Sequence, residues 1–350
     1  MSFKVVLDSN GKEFDASPGQ NILAAALDAG ISLHYSCRSG LCGACQCKIL
    51  KGDIDHGDAS LAYLTAEKRA DGYAMLCQAT ARSDLVLDAQ ELSGFDGVKP
   101  RITPCRVAKL ERVANDVMVL TIRTPMNENL LFVAGQYVDF LFPDGKTRSY
   151  SIASIPSAQG VTQLELHIRH MPGGLFTDHV FSKMKIRELL TMEGPFGTFY
   201  VRENSDRPMV FVASGTGFAP IKSMLSVIFA KGLNQQRSIN FYWGGRTRDS
   251  LYMHDLVAQW ADEHENFKYI PVLSEATEAC SWTGRVGNVH LAVMEDFPDL
   301  SGYQVYACGA PAMVNAAKHD FIEKCNLPEG EFFADEFLSE LDRLEEKSKQ

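Results

Sequence analysis

The chain has 350 residues, a formal net charge of −10, 45% hydrophobic residues and 22% charged ones. It is too long for one ordinary domain, and the composition suits two or three globular units with real cores. The acidity makes nucleic acid and anionic membrane surfaces poor partners. Met1 to Asp8 carries neither a basic n-region nor an apolar h-region, and no uncharged apolar run reaches spanning length, so the chain reads as cytoplasmic. Nine cysteines, an odd number, fit a compartment where thiols stay reduced.

In chain order, Phe3 to Leu7 reads as a strand, Asn10-Gly11 as a tight turn, and Lys12 to Ala16 as the return strand. Ile22 to Leu27 is a short apolar helix, with Gly30 placed to end it. A cysteine-rich loop follows, and a strand at Leu85 to Leu87 closes the unit, residues 1–92. Residues 93–101 read as a linker, with Gly94, Gly97 and Pro100 and no periodicity. From 102 to 204 short β-rich runs alternate with turn residues, which suggests an antiparallel barrel. Glu193 to Gly197 reads as a turn at its end. From 205 to 338 apolar runs such as Met209 to Ala213 alternate with helical stretches, the signature of a parallel sheet covered on both faces. Residues 339–350 read as a charged helical tail. The whole is a multidomain α+β and α/β protein.

Five cysteines lie between Cys37 and Cys77, whereas Cys105, Cys280, Cys308 and Cys325 are scattered. Cys37, Cys42 and Cys45 have the C-x4-C-x2-C spacing, and Cys77 follows on a separate segment, which is the plant-type 2Fe–2S pattern. Three thiolates on one tight loop plus one from elsewhere can surround two irons and two sulfides. Gly40 and Gly43 let the backbone wrap closely. Cys47 reads as a buried structural thiol outside the ligand set. A structural zinc site prefers repeated C-x2-C pairs, and only one such pair is present.

Arg148-Ser149-Tyr150-Ser151 resembles the R-x-Y-S element of the ferredoxin–NADP reductase superfamily, whose members bind FAD on a six-stranded antiparallel barrel. The resemblance implies that Arg148 pairs with the FAD pyrophosphate, that Tyr150 packs on the flavin beside Ser149, and that the Ser151 hydroxyl lies near N5. His167-Ile168-Arg169 leads into Gly173-Gly174-Leu175, with Thr177 beyond, and completes the expected flavin-binding set. There Gly173 and Gly174 would bring backbone amides to the pyrophosphate at a helix start.

Gly215-Thr216-Gly217, with Pro220 three residues on, follows an apolar strand and opens a helix, as a dinucleotide pyrophosphate requires. It is similar to the G-T-G-x-A-P element of the same superfamily, and Cys308-Gly309-Ala310-Pro311 is similar to its C-G-x-P element beside the nicotinamide. Arg246, Arg248 and Tyr252 should lie near the adenine ribose. Arginines there suit NADPH and the neighbouring Asp249 suits NADH, so NADPH stays possible. NADH is preferred by analogy with reductases of this architecture. Near the end, Asp335 and Phe337 resemble an acid and aromatic that reach the flavin, with Asp where relatives often carry Glu.

The order of the three units resembles the reductase component of bacterial multicomponent oxygenases, with a β-grasp ferredoxin domain at the N-terminus. CDP-6-deoxy-glucoseen reductases share the layout. The resemblance implies hydride transfer to FAD with Ser151, Cys308 and Asp335 shaping the contact. Single electrons then pass through the cluster to a partner protein. An oxygenase component is the leading partner and a deoxysugar dehydratase the alternative. A non-catalytic redox sensor is the remaining reading, but the sequence offers no DNA-binding element or basic patch for it.

Overall fold

A computed structural model of the protein describes residues 2–276 and 282–338, so Cys280 and the tail 339–350 lie outside the described residues. In the first unit the alternation of Val5 and Leu7 with Lys4 and Val6 sends one side of Phe3–Leu7 into a buried core. That strand pairs with Glu13–Ala16 as a hairpin and runs parallel to Leu85–Asp88, with Gln46–Lys51 and Tyr73–Met75 beyond. Helix Ile22–Asp28 packs on this sheet, and the Asn21 side chain caps it by accepting from Ala24 N at 2.8 Å. Gly30, at φ +78°, turns the chain out of the helix.

Six antiparallel strands follow, in the order Thr147–Ser151, Tyr137–Leu141, Leu189–Phe196, Arg101–Ala114, Val117–Arg123, Gln163–Arg169. A bridge between Ile152 and Leu166 brings the two outer strands together and closes the barrel around Leu120, Val138, Phe140 and Leu164. The stretch read as a turn, Glu193 to Gly197, is mostly strand. Gly194 allows this, because a Cβ there would lie 3.0 Å from the Val138 side chain and 3.2 Å from the Tyr137 carbonyl. In the segment before the barrel, Phe95 is buried edge-on against Tyr200, at 5.0 Å between ring centres.

The third unit is a parallel sheet in the order Arg285–Val286, Phe267–Leu273, Ile239–Gly245, Met209–Ser214, Gln304–Gly309, Phe332–Glu336. Met209, Phe211 and Ala213 face one helical layer and Val210 and Val212 the other, which is why the run is apolar throughout. The chain starts in the middle of the sheet, builds outward on one side and then crosses to the other. A crevice therefore opens at the carboxyl ends of Met209–Ser214 and Gln304–Gly309. Among the described residues no helix is long and apolar enough to cross a membrane.

Candidate functional site

Cys37, Cys42, Cys45 and Cys77 come together as two hydrogen-bonded pairs, Cys37 with Cys42 and Cys45 with Cys77. The Cys42 contact, with backbone amides assisting, holds Cys37 down to about 5, while that same contact and then burial push Cys42 up. Among the described residues no three His, Cys, Asp or Glu side chains gather round a single point as one ion needs. Four thiols gathered as two adjacent pairs fit the ligand set that a binuclear 2Fe–2S cluster would need. Ser39 N donates to Cys37 Sγ at 3.4 Å, and Gly40 and Gly43 take φ of +77° and +71° to wrap the loop. Cys47 lies apart, buried against the Lys48 and Asp88 carbonyls, and burial pushes its thiol up to about 12.

On the barrel, Ser151 is buried directly across from Tyr137, and Ser149 across from Asp139. Ser149 Oγ donates to Asp139 Oδ1 at 2.6 Å, so this serine faces a carboxylate. Arg148 lies on the same edge strand, and Tyr150 packs against Phe140 and Phe176. The glycine turn uses its own amides: Gly173 N donates to Asp178 Oδ2 at 3.1 Å and Gly174 N to Met171 O at 2.8 Å. What remains for an anion is the first turn of helix Leu175–Ser182, whose amides no side chain caps. A Cβ on Gly173 would meet nothing within 4 Å, so the approach to that turn is open. These residues fit a bound flavin dinucleotide.

At the crevice, a Cβ on Gly217 would lie 2.1 Å from the Cys308 carbonyl, and one on Gly309 would lie 2.2 Å from Ser214 Oγ. Only glycines let the two strand ends meet this closely. Thr216 is buried between the two glycines, and Pro220 and Pro311 open the helices that follow. Cys308 is fully buried and burial pushes its thiol well up, so it stands there as a neutral, compact side chain. Arg246 and Arg248 are exposed, and a cavity of about 560 Å³ lined by Arg112, Asn115, Arg248, Asp249 and Tyr252 opens beside them. This crevice fits a nicotinamide dinucleotide.

Several expected ligand residues also join the units to one another. Both His167 nitrogens are engaged, Nδ1 with the Tyr252 hydroxyl at 2.7 Å and Nε2 with Glu165 at 2.8 Å, so His167 and Tyr252 link barrel to crevice. Arg169 Nε donates to Asp116 at 2.8 Å and its guanidinium lies over Gly215. Ile168 is core. Phe337 packs beside the crevice, its amide donating to Gly309 O at 2.9 Å.

Asp335 is buried and accepts from Ser36 Oγ, next to Cys37, at 2.8 Å; burial pushes its carboxyl up to about 6. Arg38 of the same loop donates Nε to Tyr137 Oη at 3.1 Å, pairs with Asp139, and stacks on Phe196 at 3.4 Å. Tyr137 and Phe196 thereby share one buried cluster with the first unit's core. The sequence reading missed Ser36, Arg38, Tyr137 and Asp139. A signal was present: Asp139 is an acid inside the otherwise apolar strand Tyr137–Leu141.

Residues 5–82 match the 2Fe-2S iron-sulfur cluster binding domain, 104–200 the oxidoreductase FAD-binding domain and 211–319 the oxidoreductase NAD-binding domain. The chain is 40% identical over 338 residues to the CDP-6-deoxy-L-threo-D-glycero-4-hexulose-3-dehydrase reductase of Yersinia pseudotuberculosis, covering 97% of this chain and 99% of that one. This chain belongs to the ferredoxin-fused FAD/NAD reductases. The reductase is also 34% identical over 321 residues to reductase component 2 of terephthalate 1,2-dioxygenase from Comamonas sp, covering 91% and 92% of the two chains. Its fold superposes on the crystal structure of an Amycolatopsis cytochrome P450 reductase with a TM-score of 0.80 at 32% identity, covering 96% and 98%. It is an oxidoreductase whose domains bind a 2Fe–2S cluster, FAD and a nicotinamide cofactor.

Proposed function

We propose that this reductase oxidises NADH and delivers the electrons one at a time to a partner protein. FAD, when bound, would supply the exchange between a hydride and single electrons, and a 2Fe–2S cluster held by the four cysteines would supply a one-electron outlet. Each NADH yields NAD+, one proton and two electrons, which two one-electron acceptors consume. The observation that carries the reading is the contact of the cysteine loop with Tyr137 and Asp139, on the strand paired with the flavin motif.

In this reading Arg148 and the first-turn amides of Leu175–Ser182 hold the FAD pyrophosphate, and Tyr150 and Ser151 border the ring. Gly215, Thr216, Gly217, Gly309 and Pro311 shape the nicotinamide pocket above the Cys308 backbone. Arg246 and Arg248 hold the adenosine end, and Phe337 covers the ring. Cys37, Cys42, Cys45 and Cys77 hold the cluster. The test is anaerobic mixing of the full-length protein, loaded with FAD and iron, with NADH or NADPH. The expected result is loss of flavin absorption followed by loss of cluster absorption, fastest with NADH. A flavin that NADH leaves oxidised would contradict it.

One acceptor is an oxygenase component, in keeping with the likeness to the terephthalate dioxygenase reductase. A second is a deoxysugar dehydrase, favoured by the higher identity to the Yersinia reductase over nearly the whole chain. Electron delivery to one purified acceptor and not the other separates them.

A further inference from the structure

Ser36 and Arg38 flank the cluster ligand Cys37, and both side chains leave their own unit. Ser36 Oγ donates to Asp335, at the end of the last strand of the nucleotide unit, at 2.8 Å. Ser36 O accepts from Tyr137 Oη at 2.8 Å, and the same hydroxyl accepts from Arg38 Nε at 3.1 Å. Asp139, which pairs with Arg38, is 2% exposed and also accepts from Ser149 inside the flavin motif. Arg38 holds φ +55°, a left-handed conformation unfavourable for a side-chain-bearing residue, which persists only where the surroundings fix it. Next to it Tyr35 and Thr198 exchange three hydrogen bonds: Tyr35 N to Thr198 Oγ1 at 3.0 Å, Thr198 Oγ1 to Tyr35 O at 2.7 Å, and Thr198 N to Tyr35 O at 3.2 Å.

A general interdomain contact would need none of this arrangement. The polar bonds converge on the two residues flanking one ligand, and they come from both other units at once. Desolvation offsets much of the attraction between a largely buried guanidinium and a buried carboxylate, so the Arg38–Asp139 pair is better suited to fixing register than to adding stability. Electron transfer falls steeply with distance, so the separation between cluster and flavin must be held closely. We propose that Ser36 and Arg38 are positioning residues, anchored by Asp335, Tyr137 and Asp139, that hold the Cys37 edge of the cluster loop against the flavin site. The proposal rests on the electron path given under Proposed function. It also makes Ser149 a support for the docked loop, reached through Asp139.

The test uses the full-length, cofactor-loaded protein carrying Ser36→Ala with Tyr137→Phe, which removes two hydroxyls and leaves shape and charge unchanged. Asp139→Asn serves as a second, independent variant. Hydrogen exchange at the amides of Tyr35 and Thr198 should rise roughly tenfold or more, because the docked state loses the hydrogen bonds that hold it. The rate of flavin reduction by NADH should stay at the wild-type value, while cluster reduction slows by roughly tenfold or more. Unchanged exchange at Tyr35 and Thr198, or wild-type cluster reduction in both variants, overturns the proposal. A wild-type protein that never reduces its cluster with NADH overturns the electron path instead, and the exchange measurement then still decides whether these residues hold the loop.

Discussion

His167 and Tyr252 join the flavin barrel to the nucleotide unit, with the tyrosine hydroxyl 2.7 Å from Nδ1. Burial holds the imidazole neutral despite the opposing pull of Glu165. Tyr252 is kept protonated by its burial, so it donates to Nδ1 and Nε2–H donates to Glu165. Lys222, on helix Phe218–Lys231, approaches the same carboxylate at 3.1 Å.

That arrangement gives a pH dependence with a definite sign. Burial alone would raise the Glu165 carboxyl, but the His167 hydrogen bond and Lys222 outweigh it and hold the group at about 2. A folded value below the ordinary one stabilises the protein above the unfolded carboxyl range, and the effect is lost as pH falls towards 2. Glu165→Gln should therefore destabilise the protein by ~2–3 kcal/mol at neutral pH. By pH ~3 that gap should shrink to about half or less. Urea unfolding of both proteins across this range checks it, and a gap that does not change with pH would show that Glu165 acts by packing alone.

Gly217 offers a steric test of the crevice. Gly217→Ala places a methyl 2.1 Å from the Cys308 carbonyl and should push the loop off the strand end. NADH affinity should fall by roughly tenfold or more while FAD is retained, since the flavin barrel is untouched. Gly302→Ala, whose added methyl meets nothing within 4 Å, is the control and should bind NADH normally. Calorimetric titration with NAD+ separates the two variants, and equal affinities would mean that this loop does not hold the dinucleotide.

The flavin strand separates binding from chemistry. Arg148→Ala should weaken FAD retention by ~1.5–3 kcal/mol through loss of a charge-assisted partner. Ser151→Ala should leave FAD bound but slow its reduction. Flavin release on dilution and stopped-flow reduction by NADH read the two effects, and a wild-type reduction rate in Ser151→Ala would remove that hydroxyl from hydride transfer.

Where one local pattern determines an element, the sequence was readable. The cysteine spacing, the buried run Met209–Ala213 and the glycines at 217 and 309 each express a constraint within a few neighbouring residues. What stayed hidden depends on partners far along the chain. Asp335 read as a residue reaching the flavin, yet its hydrogen bond is to Ser36, 299 residues away. His167 read as a flavin ligand, yet its bonds run to Glu165 and Tyr252, the latter 85 residues away. Residues 93–101 read as a bare linker because glycine and proline dominate them, but one aromatic, Phe95, is buried on the barrel.

The central claim is that electrons leave through the cluster of the N-terminal unit. Comparing full-length wild type, Cys77→Ser and Cys47→Ser for NADH-driven reduction of cytochrome c, against ferricyanide and alongside iron content, tests it most directly. Cys77→Ser breaks one of the two thiol pairs, whereas among the described residues Cys47 bonds to the Lys48 and Asp88 carbonyls. The account predicts that Cys77→Ser loses iron and cytochrome c reduction while ferricyanide, which takes electrons from the flavin directly, is still reduced. Cys47→Ser should match wild type in all three. Cytochrome c reduction at the wild-type rate by an iron-free Cys77→Ser protein would contradict the account.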